Sequence, residues 1–352
     1  MTGIPQTTTP KTPKQTKHSS ALRILQWNMH NSKLGFHLLS QFLLETHYDI
    51  VLVQEPPELL ADGRLRPHGY HTFLPSRDLS NEDTDTGDPL TLILTRASLN
   101  ARSLHSSYSN RICSVLIPSS SGDIALLSVY IPLEGNQLFP ELDSTLQRVQ
   151  RATPFYALGL DTNGHSSWWG PPHQHSNTNG RLIEDFILTH HLIVHNTWPC
   201  PPTVSSDNGK LWINVTLSSP RLSPFLRSWR ILEDDIPASD HSPIAFHIPF
   251  KDTPQCTPSY NWRATPWEAF RSTLSAALTH AIPSVDHIHT PYDLDVRVHL
   301  LLECFHRTIA QHVPIKHPCH YSNPWWTEKL AALRKHVTHL RRVAKATNSP
   351  QD

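Results

Sequence analysis

The sequence predicts an α/β protein in which strands outnumber helices and polar residues gather just past strand ends. Three observations carry this. A strand, a helix and a second strand follow one another within about 35 residues at the start of the ordered region. Short apolar runs then recur, separated by turn residues. Beyond about residue 260 the apolar period becomes helical.

Taken in order, residues 22–27 (LRILQW) are short and apolar enough for a strand. Phe36, Leu38, Leu39, Phe42 and Leu43 recur at helical spacing, and residues 49–53 (DIVLV) read as a buried strand that runs into Gln54-Glu55-Pro56. Residues 76–89 are polar and acidic, hence a loop. Runs at 90–94, 112–117 and 124–130 suggest an antiparallel meander. Residues 139–149 suit a helix, and 155–160 a buried strand ending at Asp161. Asn179-Gly180-Arg181 opens a helix with Leu182, Ile183, Phe186 and Ile187 on one face, and 211–217 and 244–248 complete the strands.

Residues 251–260 (KDTPQCTPSY) form a linker by composition. Three helices are expected after it. Thr265-Pro266-Trp267-Glu268 has a capping-box layout at the start of the first. Leu294, Val298, Leu301, Leu302 and Phe305 share a face of the second. The third starts near residue 326 and carries Leu330, Leu333, Val337 and Leu340, studded with Arg334, Lys335, Arg341, Arg342 and Lys345. That basic face reads as the solvated side of an amphipathic helix. The expected organisation is a disordered tail over 1–20, an α/β domain over 21–250, the linker, and a helical region over 261–352.

Composition narrows the function. Of 352 residues, 38% are hydrophobic, with Pro 31 and His 25, which suits a packed core broken by proline-rich loops. Lys+Arg 30 balances Asp+Glu 30, so attraction to phosphates must come from local patches or a bound metal. The five cysteines form no CxxC pair and read as reduced thiols of an intracellular protein. No run approaches the roughly 18 apolar residues of a membrane span, so no membrane partner is expected, and no stable protein partner can be inferred. The N-terminal tail lacks the apolar stretch of a secretory signal.

Five motifs sit at predicted strand ends: Trp27-Asn28, Gln54-Glu55-Pro56, Val129-Tyr130-Ile131-Pro132, Asp161-Thr162-Asn163-Gly164-His165 and Ser239-Asp240-His241-Ser242-Pro243. Each is weak alone; together they form a kit of hard oxygen ligands, amides, a phenol and an imidazole. Glu55, Asn28 and Asp240 can supply a shell for Mg²⁺ or Mn²⁺. Asp161 can orient or deprotonate a water, Asn163 and Tyr130 can donate to phosphate oxygens, and a protonated His241 can stabilise the same charge. His165, Arg181 and Ser239 flank the motifs as candidate substrate contacts. The pairs His173/His175 and His287/His289 and the run His317-Pro318-Cys319-His320 lack the spacing of a zinc site.

In order, spacing and flanking residues these motifs resemble the endonuclease/exonuclease/phosphatase superfamily. Residues 161–170 (DTNGHSSWWG) look like the Asp-Phe-Asn-Ala-His…Trp-Gly signature of non-LTR (LINE-type) retrotransposon endonucleases, the N-terminal domain of their polyproteins. Residues 180–186 (GRLIEDF) and 211–220 (LWINVTLSSP) resemble the segments that follow it there. The match covers roughly 21–250, while Tyr260-Asn261-Trp262, Trp267 and Pro324-Trp325-Trp326 resemble the connector that leads to the reverse transcriptase. The resemblance implies a four-layer sandwich of two packed mixed β-sheets flanked by helices (DNase I-like), with a helical C-terminal extension. It implies a Mg²⁺-dependent nuclease that nicks DNA, leaves a 3′-hydroxyl and acts in the nucleus, here without the reverse transcriptase.

One position departs from the family. Where relatives supply a carboxylate to pair with the catalytic histidine, this chain has Asn214. An amide accepts a hydrogen bond from the ring but cannot stabilise an imidazolium by charge, so reduced activity is expected. Two alternatives follow: a decayed remnant that at most binds nucleic acid, and a phosphatase of the same fold acting on a small substrate.

Overall fold

A computed structural model of the chain describes residues 21–61, 66–75, 87–104, 109–206, 209–233, 236, 238–250, 260–281, 290–315 and 325–347. The expected tail over 1–20, most of the acidic loop and linker, His287/His289 and His317 to His320 lie outside these residues. Residues 1–255 with 331–352 form one compact unit, and residues 256–330 a second. The last helix therefore groups with the α/β unit and not with the two helices before it.

In chain order the first unit comprises β1 (Ala21–Asn28), α1 (Lys33–Thr46), β2 (Ile50–Gln54), α2 (Glu58–Ala61), β3 (Tyr70–Phe73), β4 (Thr91–Arg96), β5 (Arg102–Ser103), β6 (Ile112–Ile117) and β7 (Ile124–Tyr130). It continues with α3 (Phe139–Ala152), β8 (Phe155–Asp161), α4 (Thr178–Thr189), β9 (Ile193–Val194), β10 (Val204–Ser206), β11 (Gly209–Leu211), β12 (Asn214–Ser218), β13 (Arg227–Ile231) and β14 (Ile244–Pro249). The second unit holds α5 (Trp267–Ala281) and α6 (Pro291–His312), and α7 (Glu328–Thr347) ends the described chain. One six-stranded sheet runs β13-β14-β1-β2-β4-β3 and the other β5-β6-β7-β8-β12-β9, with β10-β11 a separate hairpin. Each large sheet is mixed. Its one parallel pair, β1–β2 or β7–β8, is bridged by a crossover helix, α1 or α3. These crossovers and α4 supply the outer layers of the DNase I-like sandwich.

Side-chain alternation sorts the strands into two cores. Tyr156, Leu158 and Leu160 of β8 join Leu142, Leu146 and Val149 of α3 and Ile183, Phe186 and Ile187 of α4 in the outer core. Ile24, Ile50, Ile93, Val115, Leu126 and Ala157 face inward between the sheets. Two residues further along the same faces the layer turns polar. The Gln26 amide donates to Leu160 O and Val215 O and accepts from the Thr216 hydroxyl. The Gln54 amide donates to Ser128 Oγ and Gly159 O, and the Ser128 hydroxyl donates to Val53 O. Another two residues on, Asn28, Tyr130, Asp161 and Asn214 reach one rim.

Three expectations need correction. The runs at 90–94, 112–117 and 124–130 do not form a meander: β4 pairs with β2 and β3, while β6 and β7 pair in the other sheet. Periodicity reveals strands but not their partners. The run at 211–217 is broken at Trp212-Ile213, because Thr203 Oγ1 accepts from Ile213 N and Asn214 N and pulls the backbone off the β11 line. The Thr265 hydroxyl donates back to Asn261 O, and the capping box appears instead at Thr290 and Asp293 of α6.

Gly159 marks a close approach of the sheets, since a Cβ there would lie 2.9 Å from both Gln26 Cδ and Leu52 Cδ1. Gly159→Ala is therefore expected to destabilise the unit by about 1–3 kcal/mol through overpacking, read as a lower urea midpoint at unchanged slope. A neutral result would contradict this packing.

Candidate active site

Both parallel pairs end at the same rim, so four strand ends and two loops converge there. Four non-glycine residues around it hold left-handed backbone: His30 (φ 48°), Asn31 (φ 54°), Glu55 (φ 44°) and Asn163 (φ 43°). Such conformations cost on the order of 1–3 kcal/mol each and persist where surrounding bonds hold them. Here Glu55 N donates to Leu90 O and Asn31 N donates to Glu55 O, both at 2.9 Å.

Asn28 joins the acids. Its Nδ2 donates to Glu55 Oε2 at 2.7 Å and to Asp161 Oδ2 at 2.6 Å, while its Oδ1 accepts from His30 N at 2.7 Å. The sequence predicts Asn28 as a metal ligand; in this structure its oxygen is engaged by backbone and its nitrogen ties two carboxylates together. Asp161 is buried and also accepts from Asn163 N at 3.3 Å. Burial pushes its carboxyl up to about 7, assisted by the nearby Glu55 and Asp240 and opposed by the Asn28 and Asn163 hydrogen bonds. Tyr130 lies opposite Asp161 in the β7–β8 register, with Glu55 close enough to act on its phenol. Burial, then the two acids, push its phenol up to about 12, so it stays a donor.

His241 is buried, with Nδ1 at 2.9 Å from Asn214 Oδ1. Asn214 thus occupies the place of the histidine's partner. Burial pushes the imidazole down to about 4 although Asp240 pulls upward. The imidazole therefore rests in its neutral form. With Nδ1–H donated to Asn214, the Nε2 lone pair is left as an acceptor. Ser239 orders the loop: its hydroxyl donates to Asn28 O at 3.1 Å and accepts from His241 N at 3.1 Å. The Trp27 indole donates to His241 O at 3.0 Å.

The structure thus brings together Asn28, Glu55, Tyr130, Asp161, Asn163, Asn214, Ser239, Asp240 and His241. Asn163 Nδ2 uses one hydrogen on Ile131 O at 2.9 Å and keeps a second. His165 and Arg181 bond elsewhere, to Gln174 and to Ser176 O, with no contact to the acids among the described residues. His30 was not singled out in the sequence; its Nδ1 lies 3.4 Å from Asp240 Oδ1 and its ring 6.3 Å from that of His241. Only its position two residues after Asn28 could have marked it.

Ligand-type atoms of Glu55, Asp161 and His241, and of His30, Asp240 and His241, lie within 4.8 Å of one another in two overlapping groups. No lysine or arginine among the described residues forms an ion pair with Glu55, Asp161 or Asp240. Glu55 and Asp161 in one group and Asp240 in the other, with His241 common to both, make a donor set that fits a hard divalent cation.

The family model described as "Endonuclease-reverse transcriptase" matches residues 124–245. The Retrovirus-related Pol polyprotein from type-1 retrotransposable element R1 of Bradysia coprophila is 24% identical over 241 residues, 64% of this chain and 24% of the relative. The chain spans about a quarter of the length of that relative. Among solved structures, the endonuclease domain of TRAS1, a telomere-specific non-LTR retrotransposon, is similar at a TM-score of 0.55 and 22% identity, covering 66% of this chain and 100% of that domain. AP endonuclease LMAP from Leishmania major is similar at a TM-score of 0.54 and 14% identity, covering 68% of this chain and 92% of that one. The chain resembles the endonuclease/exonuclease/phosphatase superfamily, and within it the endonuclease domain of non-LTR retrotransposons.

Asp161 has an ordinary value of 3.8 and is raised to about 7 by folding. A raised carboxyl favours the folded state at low pH, and this contribution is lost as pH rises through about 7. In chelator the melting temperature is expected to fall between about pH 4 and about pH 7, and Asp161→Asn to flatten that fall. An unchanged slope in the variant would contradict the assignment.

Proposed function

We propose that the chain is a Mg²⁺-dependent endonuclease (Mn²⁺ being a chemically equivalent cofactor) that nicks DNA and leaves a 3′-hydroxyl, acting in the nucleus. The observation that carries this reading is that Glu55 and Asp161 on one side, and Asp240 on the other, gather around one neutral His241. The likeness to a retrotransposon endonuclease domain and an AP endonuclease supports DNA as substrate over a small phosphorylated molecule.

Glu55, Asp240 and Asp161 would hold the cation, with Asn28 keeping two of the carboxylates in register. When bound, the cation would neutralise phosphate charge as a Lewis acid. Tyr130, held protonated, and the second N–H of Asn163 are placed to donate to phosphate oxygens. His241 Nε2 is an acceptor suited to orienting a water and drawing its proton, with Asn214 fixing the tautomer. Asn214 supports a second reading, a weakened enzyme, since it fixes the ring without the charge that would stabilise an imidazolium.

Supercoiled plasmid incubated with the protein in Mg²⁺ is expected to convert to the open-circular form, with Glu55→Ala slowing conversion by about 100-fold or more. Persistent nicking by Glu55→Ala would sink the metal assignment, and ends that a polymerase cannot extend would sink the 3′-hydroxyl. Asn214→Asp is expected to raise nicking at least about 10-fold, within the four orders of magnitude that the reverse change costs triad hydrolases. No rise would mean that Asn214 is not what limits His241.

A further inference from the structure

The three carboxylates are not held equally. Asp161 and Glu55 each receive a short bond from Asn28. The Asp240 carboxylate, 34% exposed, has His30 Nδ1 at 3.4 Å, the Ser239 hydroxyl at 3.4 Å and His241 Nε2 at 4.0 Å. Its position is therefore set mainly by its backbone. Ser205 N donates to Asp240 O at 3.0 Å on one side. On the other, Arg341 Nη2 donates to Ser239 O at 3.1 Å. That carbonyl belongs to the planar peptide unit linking Ser239 to Asp240, so the guanidinium fixes the plane from which Asp240 departs.

Arg341 lies on α7. Two helical turns earlier, on the same face, Arg334 Nη2 meets Glu45 Oε2 of α1 at 2.7 Å, with the two side chains only 18% and 21% exposed. Leu333, Val337 and Leu340 of the same helix are 49%, 42% and 51% exposed. The helix is thus held by its arginines, through partly buried charge-assisted bonds, and not by burying its apolar stripe. Sequence alone suggests a solvated basic face, but two of its cations are anchored to the α/β unit.

We propose that Arg341 is a positioning residue for Asp240, which makes the C-terminal helix a working part of the cation site. This rests on the reading of Glu55, Asp161 and Asp240 as ligands. The test uses the full chain and its Arg341→Ala, Arg341→Lys and Arg334→Ala variants. Mn²⁺ binding without DNA is read by electron paramagnetic resonance, beside plasmid nicking and melting in chelator. Arg341→Ala is expected to weaken Mn²⁺ binding by about 10-fold with little change in melting, Arg341→Lys to recover part of it, and nicking by Arg341→Ala to recover at saturating metal. Arg334→Ala, which frees the helix at its other anchor, should weaken Mn²⁺ binding in the same direction. Unchanged Mn²⁺ affinity in Arg341→Ala overturns the proposal. So does a pure rise in KM for DNA with a salt slope reduced by about 1, which would make Arg341 a phosphate contact. A wild-type chain that binds Mn²⁺ but cuts nothing removes the nuclease reading and leaves this inference to the titration, whereas one that binds no Mn²⁺ removes both.

Discussion

Sharing one amide nitrogen between two acids is the constraint on which the site depends. Asn28 ends β1 in one sheet, Glu55 follows β2 in the same sheet, and Asp161 ends β8 in the other. The amide therefore bridges the sheets at their rim and keeps two carboxylates close where repulsion would part them. Its own orientation is set by the His30 N–H on its oxygen. The cost of burying Asp161 appears as its raised affinity for a proton, the same electrostatic demand that a cation would satisfy.

What lets this cluster exist is a gradient along the facing strands. Apolar residues such as Ile24, Leu126 and Ala157 fill the middle of the sandwich, and the Gln26, Gln54, Ser128 and Thr216 layer follows. The acids come next. The amide and hydroxyl layer satisfies backbone carbonyls across the interface, so polar groups enter a close-packed interior with most of their hydrogen bonds made, Gln54 Oε1 being the exception. Gly159 lets the sheets approach closely enough for those bonds to form. The strained turns at Glu55 and Asn163 sit beyond this layer, where strand regularity has ended and a side chain can be re-aimed.

Much of this was legible in advance, for local reasons. The strands at 112–117 and 124–130 and the helix at 139–149 follow from period and composition, which depend on near neighbours. The acids and amides could be picked out because they stand directly after apolar runs. The short strands β3, β5, β9 and β10 were not legible, since two to four residues leave no pattern to read. The partnership of β4 was missed because pairing is a long-range choice. His30 was missed because an exposed loop histidine in a His-rich chain carries no local mark.

By itself the sequence determined the alternation that builds two cores, the residue types at the strand ends, and the substitution of Asn214 for an acid. Each is a property of side chains at known spacing. Only the tertiary structure decided that Asn28 spends its nitrogen on the acids and that His241 rests neutral. It also decided that Arg334 and Arg341 turn inward to Glu45 and Ser239. Those outcomes depend on burial and on which donor meets which acceptor across 27 to 289 residues of chain. Spacing along a sequence does not encode distances of that kind, because folding alone brings such groups into the same low-dielectric space.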